Sequence, residues 1–166
     1  MVRAARLPAA GRIPCVSVRL IRSTRLYPGA PYAYAAVTDR PGLVFTAGAC
    51  PLDEHGQVTA PGDIPGQARQ ALANLAVALE ESGATIRDVI KTTVYVASSD
   101  RSDLIAAWNE VAAAFAGHDV PSTLLGVAVL GYPHQLVEIE AIAIIPPQDR
   151  AGRPAWRASP ASITER

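Results

Sequence analysis

Residues 136–145 read Leu-Val-Glu-Ile-Glu-Ala-Ile-Ala-Ile-Ile, a strand-forming run with two carboxylates, Glu138 and Glu140, set two apart inside it. Period-two spacing puts both on one face of a strand. A carboxylate on a surrounded strand is costly unless it meets a donor, a cation or water. The run therefore belongs to a sheet with either a solvated face or a wet site.

Size and charge narrow the setting. A chain of 166 residues suits one domain and leaves little room for two. The 15 Lys plus Arg balance the 15 Asp plus Glu, which argues against a nucleic-acid partner held by a strong positive field. Charge is uneven along the chain: no acid precedes Asp39, whereas Arg3, Arg6, Arg12, Arg19, Arg22 and Arg25 do. Residues 1–15 are expected to be a disordered basic leader, with an Arg-rich transit peptide as the other reading. No run approaches the ~20 apolar residues of a membrane span, so no membrane partner is expected. Cys15 and Cys50 stand far apart without a CxxC or Cys/His cluster, and His55, His118 and His134 lie in expected loops. The expectation is a cytoplasmic protein with no metal site and Cys50 as a small hydrophobe near a strand end.

The pattern along the chain gives strand (16–21), strand (43–47), helix, strand (89–97), helix, strand (124–130) and strand (136–145). Asp63 is the expected cap of the first helix, with Pro65 in its first turn. Ala68, Leu72, Leu75, Ala76 and Leu79 recur at helical spacing until Gly83. Ser102 or Asp103 caps the second, with Leu104, Trp108, Val111, Ala112 and Phe115 on one stripe. Helices among strands with a closing hairpin predict an α+β layer, both helices on one face of a mixed sheet. The other face, with Val94, Val96, Val127, Ile142 and Ile144 assigned to it, is expected to be buried against further subunits. Residues 147–166 turn to Pro, Arg, Ser and Gln and are expected to be a disordered tail.

Three segments in this order resemble the Rid family, also called YjgF/UK114: 43–48 (Leu-Val-Phe-Thr-Ala-Gly), 89–96 (Val-Ile-Lys-Thr-Thr-Val-Tyr-Val) and 136–143 (Leu-Val-Glu-Ile-Glu-Ala-Ile-Ala). The helical stretch Gln67-Ala68-Arg69-Gln70-Ala71-Leu72 with Asn74-Leu75 fits as well, and the likeness covers residues 16–146. It implies a chorismate-mutase-like fold and a homotrimer with an inner barrel and three interface clefts. In the best-known members each cleft hydrolyses a reactive enamine or imine, such as 2-aminoacrylate, without metal or cofactor.

By this resemblance Glu138 matches the glutamate that holds the attacking water, Asn109 an asparagine near the cleft, and Tyr32 the tyrosine of an N-terminal Pro-Tyr motif, with Tyr34 as the alternative. The family's substrate-carboxylate arginine in Pro-x-Arg-Ser/Thr is missing. Alignment on Pro121 puts Thr123 there, and alignment on 126–128 puts Ser122 there. The family's Ser-Gly-Gln appears as Ala47-Gly48-Ala49, and its following cysteine as Leu124 or Leu125. The resemblance thus gives Tyr32, Ala47, Gly48, Asn109, Ser122, Thr123 and Leu124 as a binding set around a catalytic Glu138. A hydroxyl binds a carboxylate less strongly than an arginine fork does. The expected activity is therefore a Rid-like hydrolase or tautomerase for a substrate less anionic than 2-aminoacrylate. The alternative is a non-catalytic trimer that binds a small ligand or assists a metabolic enzyme. Endoribonuclease activity finds no support in a neutral chain without a His pair.

Overall fold

The structure is a computed structural model that describes residues 18–29, 34–38 and 42–145. The expected leader, the expected tail and Tyr32 lie outside the described residues. In chain order the elements are β1 (Val18–Ile21), β2 (Ala35–Thr38), β3 (Leu43–Thr46), α1 (Ile64–Ser82), β4 (Val89–Val96), α2 (Arg101–Ala114), β5 (Ser122–Gly126) and β6 (Val137–Ile144). The strands form one sheet in the order β1-β2-β3-β6-β4-β5. Every neighbouring pair is antiparallel except β4 and β5. Helix α1 packs on β6, β3 and β2, helix α2 packs on β4 and β5, and the two helices pack on each other. The α+β architecture is as expected.

Helix α1 begins where Asp63 accepts a bond from the Gly66 N–H at 3.0 Å and stops where Gly83 takes the left-handed conformation, at φ 87°. Its Ala68, Leu72, Leu75 and Leu79 all enter the core. Helix α2 starts slightly earlier than expected, because Asp100 accepts from the Ser102 N–H at 2.9 Å. In its stripe Val111 and Phe115 are buried while Ala112 is exposed.

Three expectations are corrected. Strand β2 was not anticipated, since Ala-Ala-Val-Thr carries weak strand propensity. The closing hairpin does not form: β5 ends at Gly126 and lies parallel to β4, reached through α2, the crossover a parallel pair needs. Strand β6 inserts between β3 and β4. Finally, Val94 and Val96 belong to the covered face and are fully buried, so they do not line the open one. The open face carries Phe45, Lys91, Thr93, Tyr95, Thr123, Leu125, Glu138, Glu140, Ile142 and Ile144. Their burial alternates with that of the core residues along each strand.

One buried polar side chain ties the layers together. Gln67 of α1 is fully buried, and its Nε2 donates to the carbonyls of Ala60 at 3.3 Å and His134 at 2.9 Å. Its Oε1 accepts the Leu136 N–H at 2.7 Å. Ala60 and His134 have φ of 47° and 64°, in the left-handed region that residues with a Cβ rarely adopt. One amide thus restrains both strained turns and the entry to β6. Replacing it with leucine leaves the partly buried His134 carbonyl and Leu136 N–H without this partner, at ~1–3 kcal/mol each. We expect Gln67→Leu to lower the unfolding free energy by roughly 2–4 kcal/mol in urea titrations. His134→Gly should be neutral or stabilising. An unchanged midpoint for Gln67→Leu would contradict the assignment.

Candidate active site on the open sheet face

Glu138 stands on the open face near the start of β6, where three groups define its carboxylate. Gln135 Nε2 donates to Oε2 at 2.9 Å, and Cys50 Sγ approaches the same oxygen at 3.5 Å. Gln135 Oε1 accepts the Tyr132 N–H at 3.0 Å, which fixes the amide with its NH2 toward the glutamate. Gly48 is the third group: a Cβ there would collide with Glu138 Oε1. Beyond β3 the chain stays paired to β6 through the Ala49–Ile139 bridge, which brings Gly48 and Cys50 alongside Glu138. Among the described residues, Oε1 accepts no hydrogen bond. One oxygen is tethered and the other is available to a water or a substrate N–H.

The remainder of the face is polar along its middle. Tyr95, opposite Glu138 in the β4–β6 register, donates its hydroxyl to Glu140 Oε1 at 2.9 Å. Burial, then that hydrogen bond and the Glu140 charge, push the Tyr95 phenol up, so it remains a donor at neutral pH. Lys91 Nζ donates to Thr123 Oγ1 at 2.5 Å and to the Thr92 carbonyl at 2.8 Å. A hollow of about 140 Å³ lies between Phe45, Thr46, Lys91, Thr93, Glu140 and Ile142. Glu140, expected to be structural, is thus bound to Tyr95 beside that hollow. No three His, Cys, Asp or Glu side chains among the described residues gather as a metal site requires.

The expected residues separate into groups. Gly48 and Glu138 are in contact. Ala47 and Tyr34 line a small cleft with Leu26, Cys50 and Asn74, and the Tyr34 hydroxyl donates to the Tyr27 carbonyl at 2.8 Å. Burial raises the Tyr34 phenol as well. Ser122 Oγ lies 2.6 Å from Thr92 Oγ1, whose side chain is fully buried, so Ser122 belongs to the covered face. Leu124 packs against the core on that face, which leaves Thr123 as the hydroxyl offered to the open one. Asn109 is exposed on α2, in the layer behind the sheet. Sequence reasoning missed Gln135, because a glutamine ahead of a strand carries no positional signal. It also reduced Cys50 to packing, although its proximity to Glu138 depends on a bridge beyond the end of β3.

The Gly48 contact yields a prediction. The carboxylate is the far end of a flexible side chain, so Gly48→Ala should leave the fold intact. It should displace Glu138 from Gln135 and cost about 1–2 kcal/mol of stability, read from urea midpoints. A variant structure with the carboxylate unmoved would refute the steric account.

Comparison with known proteins places the fold in a family. The endoribonuclease L-PSP family model matches residues 23–145. A RutC family protein of Pyrococcus horikoshii is 39% identical over 117 residues, covering 70% of this chain and 88% of the relative. The 2-iminobutanoate/2-iminopropanoate deaminase of Escherichia coli is 32% identical over 125 residues, covering 74% and 94%. Among solved structures, E. coli TdcF with bound serine superposes with a TM-score of 0.63 at 30% identity, covering 76% of this chain and 98% of TdcF. A Mycobacterium tuberculosis member of the YjgF/YER057c/UK114 family does so at 0.61 and 31%, covering 77% and 99%. With the matching model, the curated relatives and the superposed structures in agreement, the chain belongs to the Rid family, also known as YjgF/YER057c/UK114.

Proposed function

We propose that the protein hydrolyses small imines or enamines, with Glu138 as the general base and the working site completed between subunits of a homotrimer. The observation that carries this reading is the asymmetric carboxylate. Oε2 is held by Gln135 and Cys50, while Oε1 fills the space over Gly48 that a Cβ would take and accepts no hydrogen bond among the described residues. A base must be positioned before its basicity matters, and this one is anchored by the protein and not by the substrate. The deaminase name of the E. coli relative supports imine chemistry for the group.

In the reaction, water attacks the carbon of a protonated imine, C=NH2+, while Glu138 accepts the water's proton, giving the neutral carbinolamine. Glu138 returns that proton to the nitrogen and then takes the hydroxyl proton as the C–N bond breaks, ammonia leaves and the carbonyl forms; the last proton passes to the ammonia or to solvent. One water is consumed and a keto product is released. An enamine reaches the same path by protonation at carbon. We expect Glu138→Gln to lower kcat by roughly 10²–10⁴ with an unchanged melting temperature, measured as ammonia release from imines generated in solution. Full activity in that variant would refute the assignment.

The trimer is supported by the open face. Phe45, Leu125 and Ile144 are 45%, 43% and 44% exposed, large apolar surfaces that a further copy would cover. Sedimentation should give three chains per particle, and Ile144→Glu should shift it to smaller species. Monomeric wild-type protein would remove this part of the reading. A non-catalytic ligand-binding trimer is favoured by one observation, that Ala47 and Ala49 flank Gly48 with methyl groups where the family has polar side chains. Silence across imine substrates, together with a ligand-induced rise in melting temperature, would select it.

A further inference from the structure

The amide that holds Glu138 has no freedom of its own. Gln135 is 4% exposed, and its side chain curls back over the turn that carries it. Its backbone N–H donates to the Tyr132 carbonyl at 3.1 Å, while its Oε1 accepts the Tyr132 N–H at 3.0 Å. Nε2 directs its two hydrogens to the Val137 carbonyl at 3.3 Å and to Glu138 Oε2 at 2.9 Å. Turning the amide over would set its NH2 against the Tyr132 N–H and its oxygen against the Val137 carbonyl, donor on donor and acceptor on acceptor. Gln135 can therefore present only a donor to Oε2.

That polarity bears on where Glu138 can carry a proton. A proton on Oε2 would meet the Gln135 N–H, whereas a proton on Oε1 leaves that bond in place. Cys50, 3.5 Å from Oε2, adds a second and weaker donor on the same side. Oε1 lies over Gly48 and accepts no hydrogen bond among the described residues. We propose that Gln135 is a positioning residue that confines the proton traffic of Glu138 to Oε1. The inference rests on the imine-hydrolase reading. Through that one oxygen the carboxylate takes the proton of the attacking water, returns it to the nitrogen and takes the hydroxyl proton as ammonia leaves. Passing that last proton to the ammonia or to solvent leaves Oε1 bare for the next cycle.

A hold of this kind is in place before substrate arrives. Burial keeps water from the amide, which strengthens its bond to a charged acceptor. The turn is also fixed from behind, because Gln67 Nε2 bonds the carbonyl of His134, the residue before Gln135. A carboxylate free to rotate would offer either oxygen at shifting distances, and misplacement by about 1 Å can cost ~10²-fold in rate. The polar atoms of the Gln135 side chain are all engaged within the chain, so its effect falls on turnover and not on substrate affinity.

The test is steady-state hydrolysis of 2-iminobutanoate, generated in solution, by the full chain. Gln135→Met, of similar length without the amide, should lower kcat about 10- to 100-fold with apparent KM within about threefold. Gln135→Lys gives up the Tyr132 bond but keeps an N–H for Oε2, and should retain a higher kcat than Gln135→Met. A residue that only stabilises the turn would fail equally in both. In the Glu138→Gln background, Gln135→Met should add less than about threefold, because the group it positions is gone. A crystal structure of Gln135→Met should show the Glu138 carboxylate in a new or second rotamer. Circular dichroism melts check folding; if Gln135→Met does not fold, Gln135→Lys decides, with kcat within about tenfold of wild type expected and a loss equal to that of Glu138→Gln overturning the proposal. Equal losses for the Met and Lys variants, losses that multiply in the double variant, or an unmoved carboxylate would also overturn it. Full activity in Glu138→Gln would sink the hydrolase and the proton route with it, whereas a fully active Gln135→Met beside an inactive Glu138→Gln would overturn the route alone.

Discussion

The position of the Glu138 carboxylate depends on the fully buried amide of Gln67. By holding the His134 carbonyl and the Leu136 N–H, it fixes where the chain enters β6 and so which residues of that strand face out. A slip of one residue would turn Glu138 into the core and Ile139 into solvent. Such a slip would bury a carboxylate among aliphatic side chains, so register and site geometry are enforced by the same energetics. The adjacent Gln135 extends the arrangement: the turn that Gln67 pins also delivers the amide that orients Glu138.

The sheet divides its two faces between stability and chemistry. On the helix side Val44, Val94, Val96, Val137, Ile139 and Ala143 pack against α1 and α2. On the other side the central strands β6 and β4 carry Glu138, Glu140, Tyr95 and Lys91, each with a bonded partner, between flanks formed by Phe45 and Leu125. The open face thus sets bonded polar groups at its middle between exposed apolar surfaces toward its flanks. The Val89–Lys91 bulge is what reconciles the two demands on β4, since strict alternation would place Val89 and Lys91 on the same face.

Much of this was legible in the sequence, for reasons that differ by residue. The period of two across residues 136–145 predicts the shared face of Glu138 and Glu140 because side-chain direction in a strand is set by the backbone alone. Helix α1 was legible because Asp63, Pro65 and Gly83 act locally. Strand order was not: β5 and β6 adjoin in sequence yet are separated by β4, a choice made by the crossover through α2 and not by local pattern. Burial assigned by composition failed for Val94 and Val96, since valine fits either face of a strand. The ambiguity between Ser122 and Thr123 likewise had no answer in spacing. It is resolved by Thr92, whose buried hydroxyl claims Ser122 and leaves Thr123 to Lys91.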